Sequence, residues 1–242
     1  MRLRAVTFDF WQTLFTDRGF DFEELLAARV RTIREAALQA GVDATFEEVE
    51  AAWRATHLEC QAAWESGGHY PNLKRVTGTL ARVGAALPPP RLEELTARVE
   101  ERTADRPPEP LPGAIATVKA LHGRYRLAII SDTGVTPGRV LRRFIAEAGI
   151  LEAFDTTTFS DEVGRSKPTP QVFRLTLDAL GTASAEAAHV GDLRRTDVAG
   201  GRAVGMRTVR YRGHKDDPTD LPDADAVIAH HDELPGVLER WA

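Results

Sequence analysis

Residues 4–14 read Arg-Ala-Val-Thr-Phe-Asp-Phe-Trp-Gln-Thr-Leu, an apolar, β-favouring run interrupted by one carboxylate. The run predicts a strand, because it is too short for a helix. Asp9 then falls at the carboxyl end of the strand, where open α/β sheets bind ligands and a carboxylate avoids burial without a partner. Taken alone, the stretch equally fits an acid that merely ends a strand and caps the next segment.

Size and composition are those of a globular protein with one large domain, or a core domain and a smaller one. The chain has 242 residues, enough for either arrangement. Its formal net charge of −5 gives no electrostatic case for a nucleic-acid partner. The single cysteine, Cys60, excludes an intrachain disulfide, so nothing in the sequence implies an oxidising compartment.

The sequence carries no membrane signal. No apolar run approaches the roughly 20 residues that a membrane-spanning helix needs. Residues 1–10 contain no apolar segment of the kind found in signal peptides. We therefore expect a cytoplasmic protein without a membrane partner, and the sequence leaves open whether it is a monomer or a homodimer.

Residues 16–106 are expected to form an all-helical block without a strand. Apolar residues recur there at helical spacing over residues 22–40, and again in three later segments. Thr45 and Glu48 have the spacing of a capping box at the start of the second helix. Further helices are predicted at about residues 73–87 and 91–102, separated by three prolines.

After a proline-rich linker at residues 106–113, short strands and helices alternate to the end of the chain. This alternation is typical of a parallel sheet with helices on both faces. The strand before Asp9 finds no partner in the helical block, so it should join this sheet. We predict an α/β fold with a core from residues 1–15 and 107–242, and with residues 16–106 inserted as an all-α unit.

Four polar residues lie at or near the carboxyl ends of predicted strands: Asp9, Ser131, Lys167 and Asp192. These ends all point the same way in a parallel sheet, so the four side chains are expected to meet in one crevice. Asp9 could attack an anionic group as nucleophile, while Ser131 and Lys167 hold its oxygens. Each residue alone has an ordinary alternative as a cap, a solvated charge or a turn acid, but the ordered set favours a site.

A divalent cation fits this set. Asp9 and Asp192 offer only oxygen ligands, which suits Mg²⁺ rather than zinc. The cation would offset the repulsion between the two acids and an anionic substrate. We therefore expect Mg²⁺ as cofactor and a small anionic molecule as substrate.

Four motifs stand in order along the chain: Phe8-Asp-Phe-Trp-Gln-Thr-Leu14, Ile129-Ile-Ser-Asp132, Ser166-Lys-Pro168, and residues 190–206, which contain Gly191-Asp192. Together they resemble the motifs of the haloacid dehalogenase superfamily of hydrolases, and the last is the most specific. The resemblance implies a Rossmann-like core under a mobile helical cap, which the inserted helices match in position and type. It also implies a covalent intermediate on an aspartate.

The resemblance assigns catalytic roles position by position. Asp9 would be the nucleophile, Thr13 and Ser131 would bind the transferred group, and Lys167 would steady both. Asp132, beside Ser131, is a candidate for substrate binding.

The resemblance also assigns a metal site. Asp192 would bind Mg²⁺ together with Asp9, and Asp197 would support the site. The backbone carbonyl of Trp11 would complete it, because the family uses the carbonyl at that position.

Trp11 departs from the phosphatase pattern of this superfamily, which usually has a second Asp two residues after the nucleophile as general acid and then base. Indole cannot transfer a proton usefully at neutral pH. Losing such help typically costs about 10²–10⁴-fold in rate. The leading hypothesis is therefore a Mg²⁺-dependent phosphatase of small phosphorylated metabolites that is slow or limited to good leaving groups.

A 2-haloacid dehalogenase is the alternative, since that branch also carries an aromatic residue at the Trp11 position. Residues 53–59, with Trp64 and Tyr70, loosely resemble its cap, in which an arginine cradles the halide; Arg54 would match. A helix core is the interpretation that we favour for the same aromatic residues. The last motif has Gly191-Asp192 together with Asp197, which is its metal-binding form in the superfamily. This counts against a dehalogenase, which needs no metal. A third hypothesis is an intact fold that binds a ligand or partner with little catalysis.

Overall fold

A six-stranded parallel sheet forms the centre of the protein. The computed structural model describes residues 2–16 and 22–241. Within them the strands are β1 (Ala5–Phe8), β2 (Phe15–Thr16), β3 (Glu109–Pro110), β4 (Arg126–Ser131), β5 (Thr156–Phe159), β6 (Ala187–Gly191), β7 (Arg207–Tyr211) and β8 (Ala226–Ile228). The large sheet has the order β5-β4-β1-β6-β7-β8, and every pair in it is parallel. The predicted parallel α/β sheet is confirmed.

The first strand lies in the middle of this sheet, although its neighbours come much later in the chain. Ala5 pairs with Arg126 of β4 on one side and with Ala187 of β6 on the other. This register carries Asp9, the residue after β1, to the edge where β4 and β6 also end. The prediction that the first strand joins the later sheet is confirmed.

The helices of the described residues are α1 (Phe22–Gln39), α2 (Phe46–Glu65), α3 (Asn72–Arg82), α4 (Pro89–Glu101), α5 (Ala114–Leu121), α6 (Gly138–Glu147), α7 (Ser160–Val163), α8 (Pro170–Leu180), α9 (Ala199–Val204) and α10 (Leu234–Glu239). Helices α5, α6 and α10 share one apolar core with Val6 and Phe8. Helix α8 packs on the other face against Ala5 and Ile130. The sheet is therefore covered on both sides. Among these helices, none is long and apolar enough to cross a membrane.

Helices α1–α4, together with a 3₁₀ turn at Arg102–Asp105, make up the helical insertion, residues 22–105. It has its own apolar core, which includes Ile33, Trp53 and Val76. The predicted capping box is present: the Thr45 hydroxyl accepts from the Glu48 amide at 3.2 Å, and the Glu48 carboxylate accepts from the Thr45 amide at 2.8 Å. The division into core and cap domains at residues 16 and 106 stays a prediction.

Two short strands contradict the prediction that residues 16–106 hold no strand and that residues 106–113 are only a linker. Strands β2 and β3 pair antiparallel, with Thr16 opposite Glu109. Two-residue strands show no periodicity, which is why the sequence pattern missed them. The pair joins the two connections between the sheet and the helical insertion. The ring of His231 adds to this link, since it lies 2.8 Å from the Thr13 carbonyl and 3.0 Å from the Pro112 carbonyl.

Two predicted helix bounds are wrong. Helix α3 ends at Arg82 rather than near residue 87, because Gly84 adopts a left-handed conformation with φ of 78° and the chain turns there. The sequence pattern of residues 197–204 predicts a helix that starts at Asp197, but the structure has a π-helical turn at Arg194–Val198 first, and α9 follows. Because of this turn, the Asp197 side chain lies beside the carboxyl end of β6.

Candidate active site

The carboxyl edge of the sheet brings the predicted polar residues together. Asp9 directly follows β1, Ser131 ends β4, and Asp192 directly follows β6. Lys167 arrives from the segment between α7 and α8. The carboxylates of Asp9, Asp192 and Asp197 each offer an oxygen within 4.8 Å of the others. The predicted crevice is therefore present for Asp9, Lys167 and Asp192, whereas Ser131 lies beside it.

Lys167 is the cation of this cluster. Its Nζ lies 2.8 Å from Asp9 Oδ1 and 2.6 Å from Asp197 Oδ1, and all three side chains are buried. Burial by itself lowers the pKa of Lys167, but the carboxylates of Asp197, Asp9 and Asp132 outweigh it and hold that pKa well above its usual value. The ammonium group therefore stays charged and fixes Oδ1 of Asp9.

The three carboxylates differ in their readiness to ionise. Burial raises the pKa of Asp9 to about 6, although Lys167 opposes the shift. Burial, followed by the charges of Asp197 and Asp9, raises the pKa of Asp192 to about 8. Burial also pushes the pKa of Asp197 upward, but Lys167 and a hydrogen bond from His189 hold it well below its usual range. One ammonium group does not balance three carboxylates, so the cluster has an excess of negative charge when all three are ionised.

A bound divalent cation would offset the excess negative charge of these carboxylates. The three acids are the one group of potential metal ligands of this kind in residues 2–16 and 22–241, and all their donors are oxygens, as Mg²⁺ prefers. Asp197 already accepts hydrogen bonds from the Leu193 amide at 3.0 Å and the Thr196 hydroxyl at 3.1 Å, besides Lys167. Asp9 and Asp192, which have fewer hydrogen bonds, are therefore the carboxylates of this group that could hold a cation, with Asp197 beside them.

His189 extends the cluster into the sheet and was missed by sequence reasoning. Its Nε2 lies 3.1 Å from Asp197 Oδ1, and its Nδ1 lies 2.8 Å from the hydroxyl of Thr7 on the neighbouring strand. Burial lowers the pKa of His189, so the ring is neutral. An ionised carboxylate only accepts, so Nε2 carries the proton and Nδ1 accepts from Thr7. The sequence feature that could have identified this residue is its position two residues before Gly191-Asp192.

Thr13 and Ser131 are buried beside the crevice rather than in its wall. The Thr13 hydroxyl is fully buried, and no hydrogen-bond partner for it occurs among the residues that the structure describes. Within the described part of the chain, the Ser131 hydroxyl has one hydrogen-bond partner, the Asp132 carbonyl at 3.5 Å. A buried hydroxyl without a partner is costly, so a bound group that completes its hydrogen bonding would stabilise the site.

A cavity of about 440 Å³ lies between this edge and the helical insertion. The core contributes Asp9, Lys167 and Asp192 to its wall, and the insertion contributes side chains from α2 and α3. These are His57, Cys60, Gln61, Trp64, Asn72 and Arg75. The site is thus formed by both parts of the chain.

Asp132 and Trp64 connect the insertion to the core across this cavity. Trp64 Nε1 donates to Asp132 Oδ2 at 2.8 Å, while Asp132 Oδ1 accepts from the Lys167 amide at 2.9 Å. The guanidinium of Arg195 lies 3.8 Å from the centre of the Trp64 ring. Asp132, predicted to bind substrate, lines the cavity and also orients these two neighbours.

Trp11 and Arg54 have different positions relative to the cavity. Trp11 is half-buried in the wall and packs edge-on against Phe10, with ring centres 4.9 Å apart. Arg54, predicted to cradle a leaving halide, lies outside this cavity. It is exposed, and its Nη2 is 2.7 Å from Glu50 and 2.8 Å from Glu23. Arg75, which sequence reasoning missed, lines the cavity instead.

Comparison of the sequence with known proteins finds that this chain is similar to hydrolases. Residues 3–205 match the family described as haloacid dehalogenase-like hydrolase. The phosphoserine phosphatase of Thermus thermophilus is 35% identical over 181 residues, which cover 74% of this chain and 69% of that protein. The glyceraldehyde 3-phosphate phosphatase of Methanopyrus kandleri is 30% identical over 88% of this chain and 85% of its own length.

Solved structures support the fold. The 2-haloacid dehalogenase from Pseudomonas syringae has a TM-score of 0.71, covering 99% of this chain and 100% of its own at 23% identity. At that level of identity the likeness is evidence for the fold alone.

Proposed function

The chain belongs to the haloacid dehalogenase-like hydrolases, and we propose that it is a Mg²⁺-dependent phosphatase of small phosphorylated metabolites that acts through a covalent intermediate on Asp9. One observation carries the proposal. Asp9 and Asp192 lie together, buried, and among the residues that the structure describes Lys167 alone balances the carboxylate cluster. A dehalogenase that works without metal has no evident use for the second acid.

The first step is attack by Asp9 on phosphorus. Lys167 holds Oδ1 of Asp9, whereas Oδ2 accepts no hydrogen bond from the described residues and is free to attack. The new bond joins Oδ2 to phosphorus as the bond to the leaving oxygen breaks, and the leaving group departs with the electron pair. Water then attacks phosphorus, which releases phosphate and regenerates the Asp9 carboxylate.

The surrounding residues hold the transferred group and the cation. Asp9, Asp192 and the Trp11 carbonyl would hold Mg²⁺, which when bound supplies the positive charge that the cluster lacks. Thr13 supplies a buried hydroxyl to the phosphoryl group, and Asp197 keeps Lys167 in place.

Trp11 makes the proposed enzyme slow or selective. The indole occupies the position from which a carboxylate would protonate the leaving oxygen and later activate water. An alkyl leaving group must therefore take its proton from solvent, whereas an aryl group leaves unaided. We expect acidic leaving groups to be favoured.

The helical insertion is proposed to act as a cap over the core, with domains at residues 16–106 and at 1–15 plus 107–242. The Ser166 amide donates to the Gly67 carbonyl at 3.0 Å, and the Ser166 hydroxyl donates to the Gly68 carbonyl at 2.8 Å. These contacts hold the turn that follows α2 against the segment that carries Lys167. Substrate would enter when they open.

Metal-free dehalogenation of a 2-haloacid is the second candidate, and Trp11 is the observation that favours it. The same Asp9 would displace halide from carbon, and the indole would form an apolar wall beside the substrate. Arg54 borders only a neighbouring cavity, where Glu50 and Glu23 already pair with its guanidinium, so it offers no unpaired halide cradle beside Asp9.

Removal of metal separates the two candidates. With p-nitrophenyl phosphate as substrate, we expect a chelator to reduce turnover by roughly 10²-fold or more, since a bound cation typically contributes several kcal/mol to transition-state stabilisation. Addition of Mg²⁺ should restore it. Mg²⁺ should also raise the Tm of the wild type but not of Asp192→Asn. Asp178→Asn, which changes an exposed acid on α8, is the matched control and should behave as the wild type.

Turnover of 2-chloropropionate that is unaffected by chelator, without turnover of any phosphate ester, would instead establish the dehalogenase. If neither substrate class is turned over, the chain is a binding protein with little catalysis.

A further inference from the structure

Two arginines of the helical insertion lie at the far end of the site from the core. Arg75, on α3, is only 5% exposed and lines the cavity that contains Asp9. It also lines an adjoining cavity of about 360 Å³, whose wall includes Arg29 of α1 and the Glu23–Arg54 ion pair. Trp11 and His57 border both cavities. The space beside Asp9 therefore continues past the indole to a pair of guanidinium groups.

Neither arginine has an acidic partner within residues 2–16 and 22–241. Arg75 Nη2 donates to His57 Nδ1 at 3.0 Å, and its guanidinium lies 4.2 Å from the centre of the Trp53 ring. Arg29 Nη2 donates to the Thr103 hydroxyl at 2.8 Å. The Nε atoms of both arginines are buried and make no hydrogen bond to described residues. Exposed Arg54, by contrast, has two carboxylates.

The surroundings leave these charges uncompensated. Burial, and then the nearby charges of Arg75 and Arg54, lower the pKa of His57, so its ring is neutral and adds no cation of its own. Burial also lowers the pKa of Arg75, and burial followed by the charge of Arg75 lowers the pKa of Arg29 to about 9. Buried cations that repel each other and have no counterion are costly unless an anion binds between them.

We propose that Arg75, with Arg29 beside it, binds a second oxyanion of the substrate, so that the substrate is a short phosphate ester with a carboxylate or a second phosphate at its other end. The guanidinium fork matches either group, because it donates two parallel hydrogen bonds to a planar or tetrahedral oxyanion. The proposal rests on the proposed function for the phosphate held at Asp9. The aromatic walls between the two ends suit a short carbon chain.

The test measures binding without turnover, in the Asp9→Asn protein with Mg²⁺ present, by titration calorimetry. The probes are 3-phosphoglycerate, glycerol 3-phosphate and propane-1,3-diol bisphosphate, which place a carboxylate, a hydroxyl or a second phosphate at the distal end. We expect at least one doubly anionic probe to bind roughly 10–100-fold more tightly than glycerol 3-phosphate, the range for one charge-assisted hydrogen-bonding group. Which of the two binds more tightly identifies the oxyanion.

Adding Arg75→Gln to this protein should remove the preference, and Arg75→Lys should keep part of it because the charge remains. Arg98→Gln, which removes an exposed guanidinium from α4, is the matched control and should retain the preference. Equal affinities for all three probes with Arg75 intact would overturn the inference, as would a preference that survives Arg75→Gln. Phosphatase turnover by the wild type is measured separately, so its absence would reject the proposed function and leave the binding result standing.

Discussion

Asp9→Asn is expected to lower turnover of p-nitrophenyl phosphate by roughly 10⁴-fold or more, as removal of the nucleophile does in other enzymes with covalent intermediates. The substitution removes the attacking charge at nearly constant volume. Burial raises the pKa of Asp9 above its unfolded value, so the ionised carboxylate weakens the fold at neutral pH when no cation is bound. The Asn variant should therefore keep the Tm of the metal-free wild type or exceed it.

The control for this variant is Asp178→Asn, which removes an exposed carboxylate near the end of α8 and should retain full turnover. The rates are measured with saturating Mg²⁺, together with Tm for each protein. A folded Asp9→Asn protein with most of the wild-type rate would mean that water attacks phosphorus directly and that Asp9 only binds the cation.

Trp11→Asp is expected to increase turnover of alkyl phosphates by up to about 10²–10⁴-fold, the usual contribution of general acid–base catalysis. The new carboxylate would protonate the leaving oxygen and then activate water. The gain should be much smaller for p-nitrophenyl phosphate in the first step, because that leaving group needs no proton. If the indole is instead a wall for an apolar substrate, the same change should lower activity on 2-chloropropionate.

Trp11→Asn separates the effect of the carboxylate from the effect of removing the indole. It opens the same space without a titratable group, so it should not reproduce the gain on glycerol 3-phosphate. An equal gain from both variants would show that the indole only obstructs the cavity. No gain on any phosphate, in a folded Trp11→Asp protein that still binds Mg²⁺, would argue against a phosphatase that lacks only its acid–base residue.

The sheet could be predicted from the sequence because its signals are local. Strands β7 and β8 are recognisable in the sequence, since short apolar runs between turn residues define them. The common direction of parallel strands then placed Asp9, Lys167 and Asp192 in one crevice. The π-helical turn at Arg194–Val198 had no such signal, because its winding depends on hydrogen bonds to Asp197.

The insertion's contribution to the site was harder to predict, as Arg54 and Arg75 illustrate. Trp53 is buried, so the next residue of α2 turns about 100° away, and Arg54 pairs with Glu50 one turn earlier. Arg75 reaches the cavity only because α3 packs against α2 and its guanidinium lies over Trp53. That contact is tertiary, and no spacing along the chain encodes it.

The covalent intermediate on Asp9 is the central claim, and acid quenching during the first turnover tests it most directly. Trp11 cannot activate water, so breakdown of the intermediate should be slower than its formation from p-nitrophenyl phosphate. We predict a burst of p-nitrophenol close to stoichiometric with enzyme, and a phosphoryl group on the peptide containing Asp9, identified by mass spectrometry. The Asp9→Asn protein should show neither. Release of p-nitrophenol without a burst and without phosphorylated Asp9 at any time point, or phosphate on a different residue, would contradict the account.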